Sequence, residues 1–293
     1  MHIIAAGASG FLGQRLIGKL TADGHRVTQL VRRAPTGANQ VTWDPDRGEL
    51  DAADLQGVDG IVNLCGVGVG DKRWSVAYRD LIRSSRVNPT TLLASRAAQA
   101  DVPVMLSASG VGYYGPRGNE EIDETAHAGT SFLAGVCVDW ERATEAAETA
   151  GVRVAHLRTG LVLGKEAGLL PKLALLTKLF AGGRLGSGRQ YYPWISATDH
   201  IDAMVHLLTT EVSGPVNVCG PAPVTNAEFA KELGRQLHRP TPWMVPKFAL
   251  QIAVGDFAEE IVNGQRAIPK ALLDSGFGFT HPTLTAALQA ELG

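Results

Sequence analysis

Three glycines, Gly7, Gly10 and Gly13, lie in the stretch GASGFLG at residues 7–13, directly after a short apolar run. Their spacing is typical of a turn that holds a pyrophosphate. The first glycine permits the turn, the second lets phosphate approach the backbone, and the third lets a helix pack closely on the strand. In a chain with 34 glycines, this spacing also arises by chance. The apolar run before it and the amphipathic stretch after it favour a dinucleotide site, with further contacts predicted from Ser9, Phe11 and Leu12.

Two arginines, Arg32 and Arg33, follow the second apolar stretch, at residues 26–31. NAD-selective sites usually carry a carboxylate here, about 20 residues past the glycine turn, to hold the ribose 2′-hydroxyl. The chain has no acidic residue between Asp23 and Asp44. A pair of guanidinium groups suits a 2′-phosphate, which a carboxylate would repel. The alternative is a solvated basic strand end, but the pattern favours NADP(H) over NAD.

The elements that must position these residues alternate between strand and helix, which predicts a parallel sheet with helices on both faces. We place strands at residues 2–6, 26–31, 40–43, 59–64, 102–107 and 152–157. Helices are predicted around residues 74–100, interrupted at Pro89, and near residues 130–150. The fold class is therefore α/β, with a Rossmann-type doubly wound sheet in residues 1–165. Residues 166–293, rich in proline and short elements, are predicted to form a smaller α+β lid for the substrate, although some of their elements could rejoin the sheet.

Composition excludes several classes of protein. The 293 residues carry 27 basic and 29 acidic side chains, for a net charge of −2, which argues against a nucleic-acid partner. Cys65, Cys137 and Cys219 are far apart and include no CxxC pair, so neither a disulfide framework nor a metal site is indicated. No apolar run approaches the roughly 18 residues that span a bilayer, and the N-terminus lacks a basic leader. We therefore expect a cytoplasmic protein without a membrane partner, whose oligomeric state the sequence does not indicate.

Several strings together resemble those of an extended short-chain dehydrogenase/reductase. They are the glycine turn, NLCG at residues 63–66, SAS at 107–109 and LRTGLVLG at 157–164. This superfamily includes sugar-nucleotide epimerases and dehydratases that bind a nicotinamide dinucleotide. The resemblance implies further cofactor contacts from residues that follow the later strands: Leu64, Cys65, Gly66, Ser107, Ala108, Arg158 and Leu161.

A narrower resemblance points to one atypical branch, the NAD-dependent epimerase/dehydratase-like proteins often labelled "epimerase family protein". The chain is similar to that branch in SASGVGYYG at residues 107–115, GSGRQ at 186–190 and GPVN at 214–217. It also shares the pairs RW at 73–74 and SR at 85–86. The tail, from Pro246 through GQR at 264–266 to GFGF at 276–279, looks like the C-terminal domain of the branch. The resemblance covers essentially the whole chain, but the branch has no agreed reaction.

The chemistry of the superfamily needs a serine, a tyrosine and a lysine. The serine holds the reacting oxygen, the tyrosine exchanges a proton with it, and the lysine lowers the pKa of the tyrosine. Ser109 matches the serine. The tyrosine and lysine should precede Glu141 by eight and four residues, but Leu133 and Cys137 stand there. Neither side chain can replace the pair at neutral pH, so the standard mechanism does not carry over.

Two tyrosines are candidates to replace the missing proton donor. Tyr113 and Tyr114 lie four and five residues past Ser109, at the ligand-binding end of the predicted sheet. Either phenol could face the nicotinamide, with its pKa lowered by a nearby arginine or by the charge of the cofactor ring. Equally, one of them could pack beneath the lid as an amphipathic aromatic. His127 is more simply interpreted as a solvated loop histidine.

Candidate substrate contacts come from two loops. Arg73 could bind an anionic substrate while Trp74 lines the substrate pocket. Alternatively, the two residues could form a surface turn with one buried aromatic side chain. Arg189 lies where sugar-nucleotide enzymes of the superfamily keep an arginine that faces phosphate. Trp194 could line the pocket or simply pack.

The sequence thus predicts an NADP(H)-binding oxidoreductase or epimerase-like enzyme that acts on a small polar carbonyl, hydroxyl or nucleotide-linked compound. The alternative is a non-catalytic NADP(H)-binding redox sensor or regulator, because the YxxxK pair is absent.

Overall fold

The computed structural model describes residues 1–166 and 168–293. Within these residues the strands are β1 (His2–Ala6), β2 (Arg26–Val31), β3 (Gln40–Thr42), β4 (Gly60–Asn63), β5 (Val104–Gly110), β6 (Glu121–Ile122), β7 (Arg153–Thr159), β8 (Leu161–Leu163), β9 (Gly183–Leu185), β10 (Tyr191–Tyr192), β11 (Trp194–Ser196), β12 (Gly214–Val218), β13 (Val224–Thr225), β14 (Trp243–Val245) and β15 (Arg266–Ala267). The helices are α1 (Phe11–Ala22), α2 (Val76–Gln99), α3 (Phe132–Arg142), α4 (Glu145–Thr149), α5 (Leu170–Lys178), α6 (Ala197–Thr209), α7 (Asn226–Gln236), α8 (Lys247–Val254), α9 (Phe257–Val262), α10 (Lys270–Asp274) and α11 (Leu284–Leu292).

A parallel sheet of seven strands forms the centre of the fold, in the order β3-β2-β1-β4-β5-β7-β12. The order reverses direction at β1, so the crevice at the carboxyl ends of β1 and β4 is where an α/β sheet of this kind binds ligands. The predicted Rossmann-type α/β class is confirmed, and the predicted strands shift by at most three residues at either end.

The two faces of the sheet have separate apolar cores because successive strand residues point to opposite sides. Ile3 packs with Leu16 of α1 and Met204 of α6 on one face. Ile4 packs with Leu93 of α2 on the other face. Both isoleucines are fully buried, so β1 is covered on both sides, as parallel strands require.

Pro89 does not interrupt α2, which corrects the sequence expectation. The helix runs unbroken from Val76 to Gln99 with Pro89 inside it and buried. Proline inside a helix costs about 3 kcal/mol through a lost hydrogen bond and a clash. Burial of neighbours such as Leu92 and Leu93 against the sheet offsets that cost.

One strand of the second half joins the central sheet, and one helix of that half packs on it. Strand β12 pairs with β7 from Gly214 to Val218 and forms one edge, and α6 packs with α1 on the adjoining face. The C-terminal segment is tied to this edge by Glu124, whose carboxylate accepts hydrogen bonds from the backbone N–H groups of Asn217 (3.0 Å) and Ala271 (3.1 Å). Among the described residues, no helix is both long and apolar enough to cross a membrane.

Candidate functional site

A cavity of about 570 Å³ opens at the carboxyl ends of β1, β2 and β4. It lies at the switch point of the sheet, where a dinucleotide is expected. Eight of the predicted cofactor contacts line it: Gly7, Ser9, Gly10, Arg32, Arg33, Leu64, Cys65 and Gly66. The structure therefore brings these eight residues together at one cavity, and their contact with a cofactor stays a prediction.

Two of the turn glycines are required by the packing of the protein itself. Gly7 has φ +77°, and a Cβ on it would lie 2.7 Å from the backbone carbonyl of Leu64. A Cβ on Gly13 would lie 2.4 Å from the carbonyl oxygen of Gly7. Any side chain at either position would therefore push α1 and β4 away from the turn.

Gly10 differs from its two neighbours. Its φ is −73°, which any residue adopts, and an added Cβ would meet only the carbonyl oxygen of Gly7, at 3.4 Å. Gly10 is also the N-cap of α1, and no side chain in the described residues caps this helix end. The open space and the uncapped N–H groups fit an anion that approaches the backbone at this point.

The end of β2 makes the cavity cationic. Arg32 and Arg33 are both exposed and line it. Within residues 1–166 and 168–293 neither forms an ion pair with a carboxylate, while Arg33 donates hydrogen bonds to the carbonyl of Ala34 and the hydroxyl of Thr36. Burial raises the pKa of the Cys65 thiol to about 12, against the influence of Arg32, so Cys65 adds no negative charge. The guanidinium groups are available to a phosphate.

One wall of the cavity was missed by the sequence reasoning. It is built by Trp43 and Pro45 after β3 and by side chains of α2, including Ser84, Ser85 and Pro89. The acidic group in this wall, Asp46, accepts a hydrogen bond of 2.9 Å from the amide of Asn88. The string WDP at residues 43–45 was a local signal for this wall, whereas the α2 residues are brought here only by folding.

A buried polar network occupies the carboxyl ends of β5 and β7. The Ser109 hydroxyl donates to Glu141 Oε1 at 2.7 Å. Arg158 holds the same carboxylate with two hydrogen bonds of 2.8 Å, from Nε and Nη2. Burial alone would raise the pKa of Glu141, but the hydrogen bonds from Arg158 and Ser109 and the positive charge of Arg158 outweigh it and hold the pKa at about 2. Glu141 is therefore a fixed negative charge at neutral pH.

The two candidate tyrosines have different surroundings. Tyr114 is fully buried, and its hydroxyl donates to Asn217 Oδ1 at 2.6 Å and accepts from Arg158 at 3.0 Å. Burial raises its pKa to about 12, against the opposing influence of Arg158. Tyr113 is half-buried, and its ring lies 3.5 Å from the guanidinium carbon of Arg158. The Tyr114 hydroxyl is thus buried and already hydrogen-bonded on both sides, and Tyr113 is the more accessible phenol.

Leu133 and Cys137 lie beside the end of β5, where the superfamily's tyrosine and lysine would stand. A Cβ on Gly112 would be 3.6 Å from Leu133 Cβ, and one on Gly110 would be 3.8 Å from Cys137 Sγ. Burial raises the pKa of Cys137 to about 11. This thiol stays neutral and cannot supply the fixed positive charge of a lysine.

Arg158 does not have the position that was predicted for a cofactor ligand. Its guanidinium is buried and bonded to Glu141 and Tyr114, so that prediction is corrected: the charge is neutralised inside the protein. Ser107, another predicted contact, has a buried hydroxyl without a hydrogen-bond partner among the described residues.

The remaining predicted cofactor residues are not among those that line the cavity. The Phe11 ring lies against Gly164, where a Cβ would strike it. Leu12 packs onto the α1 face of the core. Leu161 pairs with Trp194 between β8 and β11, and Ala108 is half-buried on β5. Contact of these four with a cofactor stays a prediction.

The predicted substrate residues are dispersed. Arg73 is exposed and donates to the carbonyl of Ile252 on α8. Trp74 packs against Phe132 and Phe257, with ring centroids 5.1 and 5.8 Å away. The alternative of a turn with one buried aromatic therefore fits this pair better than a substrate clamp.

Two further side chains complete this set. Trp194 is fully buried and donates to the carbonyl of Ala222, so it packs in the core, which corrects its prediction as a substrate contact. Arg189 is exposed, as is the loop histidine His127.

Family models match most of the chain. One, described as the NAD dependent epimerase/dehydratase family, matches residues 3–219, and another, described as a domain of unknown function (DUF1731), matches residues 245–291. An epimerase family protein of Mycobacterium leprae is 46% identical over 288 residues, which cover 98% of this chain and 94% of the relative.

Solved structures show the same likeness. The crystal structure of human epimerase family protein SDR39U1 with NADPH has a TM-score of 0.91 at 32% identity, and the match covers 99% of both chains. A nucleoside-diphosphate sugar epimerase from Corynebacterium glutamicum has a TM-score of 0.83 at 35% identity. That match covers 100% of this chain and 58% of the other, so the chain spans little more than half of the longer protein.

Proposed function

The chain belongs to the NAD dependent epimerase/dehydratase family, and on that premise we propose that it is an NADP(H)-dependent oxidoreductase or epimerase-like enzyme of the extended short-chain dehydrogenase/reductase type. Its substrate is a small polar carbonyl or hydroxyl compound, free or linked to a nucleotide. The observation that carries the cofactor choice is the pair Arg32 and Arg33, exposed in the cavity without a carboxylate partner among the described residues. The NADPH in the crystal structure of human SDR39U1 supports the same choice.

The residues around the cavity fit this cofactor. Gly10 leaves room for a pyrophosphate on the uncapped end of α1, and the two arginines would hold the 2′-phosphate. When bound, the nicotinamide supplies or accepts a hydride. The protein must then orient the substrate and exchange one proton with its oxygen.

Ser109 is suited to hold a substrate hydroxyl. Its own proton is directed to Glu141 at 2.7 Å, so its free lone pairs face away from the carboxylate and can accept a hydrogen bond. A carbonyl oxygen needs a donor instead, and for that Ser109 would have to leave Glu141. Tyr113 is the phenol that remains to donate, because the Tyr114 hydroxyl is engaged by Asn217 and Arg158. We therefore assign Tyr113 as the proton donor and Ser109 as the group that positions the reacting oxygen.

A second candidate function is a redox sensor that binds NADP(H) without turnover. The presence of Leu133 and Cys137 beside β5 favours it, because neither side chain can exchange a proton at neutral pH. A sensor requires that the two redox forms of the cofactor stabilise different states of the protein.

One experiment distinguishes the two candidates. Purified protein is incubated with NADPH and a panel of aldehydes, ketones and sugar nucleotides, and oxidation of the cofactor is followed. Turnover that falls in Tyr113→Phe supports the enzyme. Absence of turnover with every compound, together with different hydrogen exchange of residues 168–293 in NADPH and in NADP⁺, supports the sensor. Turnover that is unchanged in Tyr113→Phe and Ser109→Ala would refute the assigned residues.

A further inference from the structure

Most of the exposed large apolar side chains of this protein lie in one region. Among the described residues, eight of the twelve such side chains come from two segments, residues 170–184 and 239–254. They include Leu175, Leu179 and Phe180 at the end of α5, Trp243 on β14, and Phe248 and Ile252 on α8. We call this region the α5–β14–α8 patch.

The two segments are joined in space although they are distant in sequence. The Trp243 indole donates to the carbonyl of Phe180 at 2.8 Å. The Arg239 guanidinium lies 5.0 Å from the Phe180 ring, and β14 pairs with β9, which directly follows α5. The apolar side chains thus lie on neighbouring elements.

Helix α8 is the clearest part of the patch. Its sequence, KFALQIAV, contains one charged and one polar residue, yet in the described structure none of its eight residues is buried. Phe248 is 64% exposed and Ile252 is 69% exposed. A helix of this composition normally has its apolar stripe covered, and exposed apolar patches mark surfaces that bind something.

The two segments that form the patch carry charged side chains of one sign only. Residues 168–198 and 233–255 contain no aspartate or glutamate, in a chain whose net charge is −2. Lys172, Lys178, Arg184 and Arg239 are exposed there. Lys247 and Arg235 of these segments are instead paired, with Glu259 of α9 and Glu232 of α7. The patch therefore combines apolar side chains with a basic rim.

We propose that the α5–β14–α8 patch binds the surface of an anionic lipid bilayer. Tryptophan, phenylalanine and leucine side chains insert at the boundary between headgroups and acyl chains, while lysine and arginine meet anionic headgroups. A second copy of this chain is a poorer occupant, because a two-fold contact places the same basic rim against itself. A patch of this kind lies on the membrane without crossing it, so it needs no apolar run long enough to span a bilayer. Because it is assembled from two distant segments, the sequence alone did not indicate a membrane-binding surface.

Co-sedimentation with vesicles tests this proposal. The full chain, with NADPH bound, is mixed with vesicles of phosphatidylcholine alone or of phosphatidylcholine with phosphatidylglycerol. We expect binding to the anionic vesicles, and weaker binding as the salt concentration rises. The double variant Phe248→Ser/Ile252→Ser should bind at least about tenfold more weakly, because two large apolar side chains leave the interface. Lys172→Glu/Lys178→Glu should weaken binding as well.

A matched control removes exposed apolar side chains elsewhere. Val76 and Leu273 are 78% and 48% exposed and lie outside the patch, so Val76→Ser/Leu273→Ser should bind vesicles like the wild type. Unchanged NADPH affinity shows that each variant is folded. No binding to anionic vesicles, equal binding to both vesicle types, or full binding by Phe248→Ser/Ile252→Ser overturns the proposal. A lipid-free wild-type dimer that becomes a monomer in that variant also overturns it, since the patch would then join two copies.

Discussion

The hydroxyl of Ser109 donates a hydrogen bond of 2.7 Å to Glu141 Oε1, 32 positions later in the chain. Arg158 binds both oxygens of the same carboxylate, so the serine is hydrogen-bonded to the Arg158–Glu141 ion pair at the carboxyl end of the sheet. The resemblance to the superfamily identified the serine but not its partner. Because the carboxylate fixes the direction of the serine proton, it also decides what kind of oxygen Ser109 can hold.

Replacing Glu141 should destabilise the fold. In Glu141→Gln the Arg158 guanidinium stays buried without its counter-charge, and losing one partner of a buried pair typically costs about 3–5 kcal/mol. Urea unfolding of the variant against wild type measures the loss. Glu145→Gln, at an exposed position on α4, is the matched control and should change the free energy of unfolding little.

The same carboxylate predicts how stability depends on pH. The pKa of Glu141 falls from 4.5 to about 2 on folding, so its contribution is fully present above pH 4.5 and is lost as the pH falls toward 2. In Glu141→Gln the free energy of unfolding should therefore no longer include the decrease that protonation of Glu141 causes at low pH. Urea midpoints compared between pH 5 and pH 3 test this, and an equally steep decline in wild type and variant would contradict it.

Cofactor selectivity should depend on the two arginines at the end of β2. NADPH should bind at least tenfold more tightly than NADH, a difference of about 1.4 kcal/mol. Arg32→Ala/Arg33→Ala should lose that preference and leave NADH affinity almost unchanged, because only the 2′-phosphate distinguishes the two cofactors. Calorimetric titration measures both. Arg47→Ala serves as the control, since Arg47 is exposed nearby but does not line the cavity.

Substitutions at two glycines of the turn should affect different properties, one cofactor binding and the other stability. Gly10→Ala places a methyl group where phosphate is expected but meets only one protein atom, at 3.4 Å. It should therefore weaken NADPH binding and leave thermal unfolding nearly unchanged. Gly13→Ala, whose Cβ would lie 2.4 Å from the Gly7 carbonyl oxygen, should lower stability itself. Full NADPH affinity in Gly10→Ala would mean that the phosphates lie elsewhere.

The two neighbouring tyrosines should give opposite phenotypes. If turnover is found, Tyr113→Phe should reduce it by roughly 10²- to 10⁴-fold, the range for a lost general acid, with little change in stability. Tyr114→Phe should instead destabilise the fold by about 1–3 kcal/mol, because Asn217 and Arg158 lose a buried partner. Rates and unfolding midpoints measured on both variants decide the assignment. A larger rate loss in Tyr114→Phe would reverse it.

The sequence alone determined the parallel α/β fold, the glycine turn after β1 and the basic end of β2. Each of these rests on local features: hydrophobic runs of strand length, glycines three apart, and two arginines at the point where an acid is usual. Such patterns predict the structure correctly because the residues that form each feature are neighbours in the chain. The missing tyrosine and lysine were also readable, since Leu133 and Cys137 occupy a fixed spacing before Glu141 and lie beside β5 as expected.

Only the tertiary structure decided which residues pair with the buried charges and which apolar side chains, those of the α5–β14–α8 patch, remain exposed to solvent. The sequence predicts Arg158 as a cofactor ligand, but folding brings Glu141 within 2.8 Å of it, and a buried guanidinium requires a counter-charge. The unbroken helix through Pro89 likewise depends on side chains packed against the sheet. Trp243 and Phe180 are far apart in the sequence, and their joint exposure follows from which strands pair. Long-range contacts of this kind have no local signature, because the free energy of burial depends on what the fold places opposite each side chain.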